Sequence, residues 1–89
     1  MKVEVEIEDL ADLEAVIDAG ADIVMLDNME PAMMRSAVEQ VAGRVLLEAS
    51  GGITLESVRA VAESGVDLIS VGGLTHSAPS LDVALDFEA

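Results

Sequence analysis

Three glycines set the period of this chain. Gly20, Gly43 and Gly65 each follow an amphipathic stretch and precede an apolar one, at intervals of 23 and 22 residues. A repeat that short holds one strand, one helix and two tight links. A glycine just past a helix adopts the left-handed backbone that closes it, so all three are read as helix ends. Strand–helix alternation with short links gives a parallel sheet with right-handed crossovers.

The segments between the glycines fit this frame. In residues 2–8, KVEVEIE, Val3, Val5 and Ile7 fall on one face and Glu4, Glu6 and Glu8 on the other. That is strand alternation. Residues 9–19 carry Leu10, Leu13, Val16 and Ile17 at helical spacing, with Asp9 as N-cap. DIVMLDN (22–28) is a second strand. Pro31 opens a second helix, where its missing N–H costs little, and that helix runs to about Ala42. RVLLEAS (44–50) is the third strand, 54–64 the third helix and LISVGG (68–73) the fourth strand. LTHSAPS reads as a turn, and LDVALDF (81–87) as a fifth extended run or the start of a short helix.

Four such units are about half of an eight-fold barrel. The expected fold class is therefore α/β, with parallel βα repeats forming about half of a TIM-like, open α/β barrel. Residues 1–89 are read as a single partial domain, with 81–89 as a terminal extended segment. The chain has no GxGxxG, and it lacks the LxxLxLxxN consensus of a leucine-rich solenoid of similar period.

Charge and composition narrow the function. Eighteen acidic side chains face four basic ones, a formal charge of −14. Nucleic acids and anionic membranes need basic surfaces, so neither is an expected partner. A single aromatic residue, Phe87, offers no platform for stacked bases. Hydrophobic residues make up 52% of the chain, too many for disorder despite the charge. With no cysteine, disulfides and thiolate metal sites are excluded. No signal peptide opens the chain and no apolar run approaches membrane-spanning length, so a cytoplasmic protein is expected. The excess of acid, the lone Lys2 and abundant alanine fit either a salt-loving source or a merely acidic protein.

Candidate chemistry gathers at the strand ends. Glu6, Asp27 and Glu48 are spaced by 21 residues, one repeat apart, which predicts that all three lie near the carboxyl edge of neighbouring strands. That edge is where α/β folds place their sites. Two carboxylates about 4 Å apart repel by roughly 4 kcal/mol at an effective dielectric near 20, so water, a proton or a cation must stand between them. Any metal here would be a hard ion such as Mg²⁺. The alternative is an edge strand with a solvated face, and for Asp27 ordinary turn chemistry. Gly51–Gly52 and Gly72–Gly73 end two strands one repeat apart. They are either tight corners or backbone cradles that aim free N–H groups at a phosphate. His76 is a weak ligand candidate, and Met25, Met29, Met33 and Met34 are read as core filler.

The strings VEVE, MLDNM, LLEASGGI and VGGLTHSAPSLDVAL, in that order and spacing, closely resemble quinolinate phosphoribosyltransferase, and the resemblance covers essentially all 89 residues. A paralogous group associated with molybdenum transport shares much of the pattern. The resemblance implies an open α/β barrel behind an N-terminal α/β sandwich, usually in a dimer. It also implies transfer of phosphoribose from phosphoribosyl pyrophosphate to quinolinate in NAD biosynthesis, with loss of CO₂ and diphosphate and with Mg²⁺ as cofactor. Glu6 and Asp27 match the family's acidic pair, which holds the ribose hydroxyls and helps place the metal-bound diphosphate. Ser50, Gly51 and Gly52 match one wall of the 5′-phosphate site, and Val71, Gly72 and Gly73 the other, with His76 beside it. Gly73 stands where Ala or Ser is frequent in the family.

The resemblance covers only the last third or so of a family member. The basic residues that clasp quinolinate lie earlier in the family sequence, and Lys2, Arg35, Arg44 and Arg59 do not match them. The expectation is therefore a piece that binds phosphoribosyl pyrophosphate without turning it over. The second reading is a structural half-barrel that pairs with a copy of itself or with a missing N-terminal segment. A third, another phosphate-binding barrel, shares the glycine turns but not VEVE together with THSAPSLD.

Overall fold

A computed structural model describes residues 2–79. Five strands form one sheet in sequence order: β1 (Glu4–Ile7), β2 (Ile23–Asp27), β3 (Leu46–Ser50), β4 (Leu68–Val71) and β5 (Leu74–Ser77). The first four run parallel, and β5 is antiparallel to β4. Between them lie a 3₁₀ turn (Leu10–Asp12) leading into α1 (Leu13–Asp18), then α2 (Pro31–Val41) and α3 (Val58–Glu63). Among the described residues, no helix is long and apolar enough to cross a membrane.

Sequential strand order with crossovers of one hand sends every helix to the same side. The core therefore takes its strand residues from one face: Ile7, Val24, Leu26, Leu47, Ala49 and Ile69. These meet Leu13, Met34, Ala37, Val41, Val58 and Val61 from the helices. Each large side chain buried there contributes about 1.5–3 kcal/mol. The opposite face, by strand alternation, carries Glu4, Glu6, Met25, Asp27, Leu46, Glu48 and Ser50.

Local chemistry explains the ends. Asp9 Oδ1 accepts from the Ala11 N–H at 2.9 Å, so the expected cap sits on the 3₁₀ turn. Pro31 is in the first turn of α2. That helix closes on two left-handed residues, Ala42 (φ +50°) and Gly43 (φ +81°), so the reversal begins one residue before the glycine. At two helix-to-strand links an aspartate staples the neighbouring strand. Asp22 Oδ2 accepts from Val3 N–H at 2.8 Å, and Asp67 Oδ2 from Leu47 N–H at 2.9 Å.

The end of the sheet departs from the sequence reading. Leu74–Ser77, expected as a turn, is a strand whose first residue pairs with Val71. Gly72 (φ +59°) and Gly73 (φ +83°) form the two-residue link. Two consecutive left-handed residues match the right-handed twist of a hairpin, which makes Gly-Gly a hairpin turn here. LDVALDF (81–87) lies outside the described residues. Met29 and Met34 are buried as core filler, but Met33 is 40% exposed and Met25 lies half-buried on the acidic face.

Candidate functional site

The acidic face takes its geometry from strand register. Glu6 stands opposite Met25, and Met25 opposite Glu48. Asp27 is one pleat further along, opposite Ser50. The equal spacing of 21 residues suggested that all three lie near the same edge of neighbouring strands. The true offsets are 19 between β1 and β2 and 23 between β2 and β3, as Glu4 faces Ile23 and Ile23 faces Leu46. Each differs from 21 by two. The carboxylates therefore keep their common face, with Glu6 and Glu48 level across Met25 and Asp27 one pleat further on.

Two carboxyl pairs result. Glu6 is hydrogen-bonded to Asp27, and that bond together with repulsion from the Asp27 charge raises its pKa. Glu8 joins them, and one carboxylate oxygen from each of Glu6, Glu8 and Asp27 lies within 4.8 Å of the others. Glu48 is not part of that group. It is 5% exposed, and burial first, then a hydrogen bond to Glu4 and repulsion from it, push its pKa up to about 7. The sequence reading grouped Glu48 with Glu6 and Asp27 and missed the Glu4 partner, because strand alternation alone does not set the register.

The first glycine turn closes onto the acidic pair. Ser50 ends β3 beside Asp27, and Gly51 (φ +86°) and Gly52 (φ +65°) follow in left-handed conformation. Asn28, also left-handed at φ +59°, donates its backbone N–H to the Ser50 carbonyl at 2.9 Å. The acid-bearing end of β2 and the glycine turn after β3 are thus joined directly. Asn28 was legible only as turn chemistry in Asp-Asn, and its link to Ser50 is a tertiary contact.

The second glycine turn stands at the same sheet edge, since β4 runs parallel to β3 and Val71, half-buried, ends it before Gly72–Gly73. His76 is placed differently. It pairs with Ile69, which belongs to the helix-covered row, so His76 shares that face and not the one bearing Glu6 and Asp27. The structure thus brings together Glu6, Asp27, Ser50, Gly51 and Gly52, sets Val71, Gly72 and Gly73 further along the same edge, and leaves His76 on the other side.

Three carboxylates and a turn of free backbone suit one kind of chemistry. Hard oxygen donors favour Mg²⁺ over softer ions. Left-handed glycines leave N–H groups able to approach an anion closely. Together they can hold a hard cation beside an anion.

Comparison with known proteins gives a consistent result. Residues 1–86 match the family model "Quinolinate phosphoribosyl transferase, C-terminal domain". A Bacillus subtilis (strain 168) protein named "Probable nicotinate-nucleotide pyrophosphorylase (carboxylating)" is 46% identical over 97% of this chain and 30% of its own length. The Rattus norvegicus nicotinate-nucleotide pyrophosphorylase (carboxylating) is 39% identical over 100% of this chain and 31% of its own. The solved nicotinate-nucleotide pyrophosphorylase of Francisella tularensis superposes with a TM-score of 0.75 at 45% identity, over 84% of this chain and 28% of that one. The chain spans about a third of the length of the curated relatives it matches.

Proposed function

The chain belongs to the quinolinate phosphoribosyl transferase C-terminal domain family, and from that premise we propose that it is the phosphoribosyl-pyrophosphate-binding part of an enzyme making nicotinate mononucleotide, CO₂ and diphosphate from quinolinate and phosphoribosyl pyrophosphate. The observation that carries this reading is the meeting of Glu6 and Asp27 beside the Ser50–Gly52 turn.

Glu6 and Asp27 accept hydrogen bonds from the ribose hydroxyls. Their charge favours the positive charge that develops on the sugar as diphosphate leaves, and preorganised electrostatics of this kind is usually the largest catalytic contribution. The backbone N–H groups of Gly51 and Gly52 receive the 5′-phosphate, with the Val71–Gly73 turn as the opposite wall. The raised pKa of Glu6 is what an uncompensated carboxylate pair produces, and the all-oxygen donor set of Glu6, Glu8 and Asp27 fits Mg²⁺ held with the diphosphate. Mg²⁺, when bound, would neutralise the leaving diphosphate.

The sheet is read as part of an open α/β barrel. Parallel sheets are normally covered on both faces. Here one face meets helices and the other carries acids with Met25 and Leu46, which suits a sheet completed by the rest of a chain about three times as long. The same face supports the second reading, a half-barrel that pairs with its own copy. Light scattering decides this: a dimer at low salt supports it, and a stable monomer contradicts it.

The test of the main reading is calorimetric titration of the chain with phosphoribosyl pyrophosphate, with and without Mg²⁺. Weak, Mg²⁺-dependent binding without turnover is expected. No heat in either condition would contradict the reading.

A further inference from the structure

We propose that Gly51 is a positioning residue for Asp27: the space its missing side chain leaves is the space in which the Asp27 carboxylate lies. A Cβ built on Gly51 would stand 2.6 Å from Asp27 Oδ1 and 2.9 Å from the Asn28 backbone nitrogen. Both distances are well inside van der Waals contact. One of the atoms is backbone and has no rotamer in which to escape.

The neighbouring glycine is a natural control. A Cβ on Gly52 would meet nothing closer than Asn28 Oδ1 at 3.6 Å, an ordinary contact. Both glycines are left-handed, at φ +86° and +65°, so an alanine at either pays the same kind of backbone penalty. Only at position 51 does it also strike the acid.

The closeness is enforced rather than incidental. Asn28 N–H donates to the Ser50 carbonyl at 2.9 Å, which draws the chain just past β2 over the end of β3 and sets Asp27 against the glycine. Asp27 is also hydrogen-bonded to Glu6. The carboxylate thus lies between Glu6 and the Gly51 backbone, and a methyl group on Gly51 displaces it from its place beside Glu6. Gly51 therefore shapes the acidic pair as well as the adjoining turn. The effect on ligand affinity rests on the proposed reading of Glu6 and Asp27, whereas the steric relationship does not.

The test uses the native chain, Gly51→Ala, Gly52→Ala, Asp27→Ala and the double variant Gly51→Ala/Asp27→Ala, each measured by thermal denaturation. Gly51→Ala should lose more Tm than Gly52→Ala, and the part of the excess owed to the Asp27 carboxylate, as opposed to the Asn28 backbone, should be recovered when Asp27 is also alanine. In ¹³C spectra at fixed pH, the Asp27 carboxyl resonance should move in Gly51→Ala and stay in place in Gly52→Ala. Affinity for phosphoribosyl pyrophosphate with Mg²⁺ should fall roughly ten- to a hundredfold in Gly51→Ala, as expected for a misplaced group. Additive Tm losses, or an Asp27 resonance that responds equally to both variants, would overturn the proposal. If Gly51→Ala does not fold, folding of the double variant supports the proposal and its failure to fold contradicts it. Absence of binding by the native chain would count against the functional reading alone, since the Tm cycle and the resonance still decide the steric claim.

Discussion

Glu48, buried in the middle of β3, is hydrogen-bonded to the carboxyl group of Glu4 two strands away, across Ile23 and Met25 of β2. A proton stands where a counter-charge would otherwise be needed, which is the less costly way to bury a carboxylate. Glu4–Glu48 and Glu6–Asp27 are therefore two distinct pairs on one face. The first joins buried Glu48 to exposed Glu4, and the second joins exposed Glu6 to half-buried Asp27.

The burial of Glu48 has a signed consequence for pH. The folded-state pKa of Glu48 is raised from 4.5 to about 7. Its contribution is complete below its unfolded value and lost as pH rises through about 7. Glu48→Gln, which cannot ionise, should be more stable than the native chain at pH 8 by about 1–2 kcal/mol once solvent at the open face is allowed for, and nearly equal to it at pH 5. Urea titrations at the two pH values measure this. An identical pH slope in both proteins would remove the shared proton.

Asp67 and Asp22 act as strand staples through one local pattern, a helix-closing glycine followed two residues later by aspartate. The equivalent position after Gly43 is Val45, and the facing Asp22 N–H donates instead to the Val3 carbonyl at 2.8 Å. Asp67→Ala removes the acceptor for the half-buried Leu47 N–H and should cost about 1–3 kcal/mol. An unchanged denaturation midpoint would show that solvent replaces the staple.

Glu14 behaves in the opposite sense to Glu48. Arg44 Nη2 approaches Glu14 Oε2 at 2.7 Å, and Gln40 Nε2 donates to the same oxygen at 3.0 Å. These bonds, that to Arg44 first, lower its pKa from 4.5 to about 2. The stabilisation they bring is complete above about pH 4.5 and lost as pH falls towards 2. Thermal scans across that window should show a shallower acid limb for Glu14→Gln than for the native chain, while equal limbs would mean the pair contributes nothing.

A net charge of −14 on 89 residues predicts a stability that rises with salt. Raising ionic strength from 0.1 to 1 M shortens the screening length from about 10 to about 3 Å, which weakens self-repulsion more than it weakens the Glu14–Arg44 bridge. Tm in potassium chloride should increase across this range. A flat or falling Tm would show that the acids are already spaced widely enough to coexist.

Much of this arrangement was legible beforehand, for reasons that differ from element to element. Gly20, Gly43 and Gly65 gave the period because left-handed closure is a local property of glycine. Alternation in β1 placed Glu4, Glu6 and Glu8 on one face for the same local reason. Register is not local. Counting repeats put Glu6, Asp27 and Glu48 near one strand edge as a single cluster, whereas the side chains pair Asp27 with Glu6 and Glu48 with Glu4. The hairpin at Gly72–Gly73 was missed because a glycine pair reads equally as a phosphate turn or a hairpin turn, and only the pairing of Val71 with Leu74 distinguishes them. His76 followed that strand onto the helix-covered face.

The most direct test compares the native chain with the double variant Glu6→Ala/Asp27→Ala in calorimetric titrations of phosphoribosyl pyrophosphate in the presence of Mg²⁺. If the paired acids beside the Ser50–Gly52 turn form the sugar-phosphate site, the Mg²⁺-dependent heat of the native chain disappears in a variant that still unfolds cooperatively. Equal heats from the two proteins would place the site elsewhere.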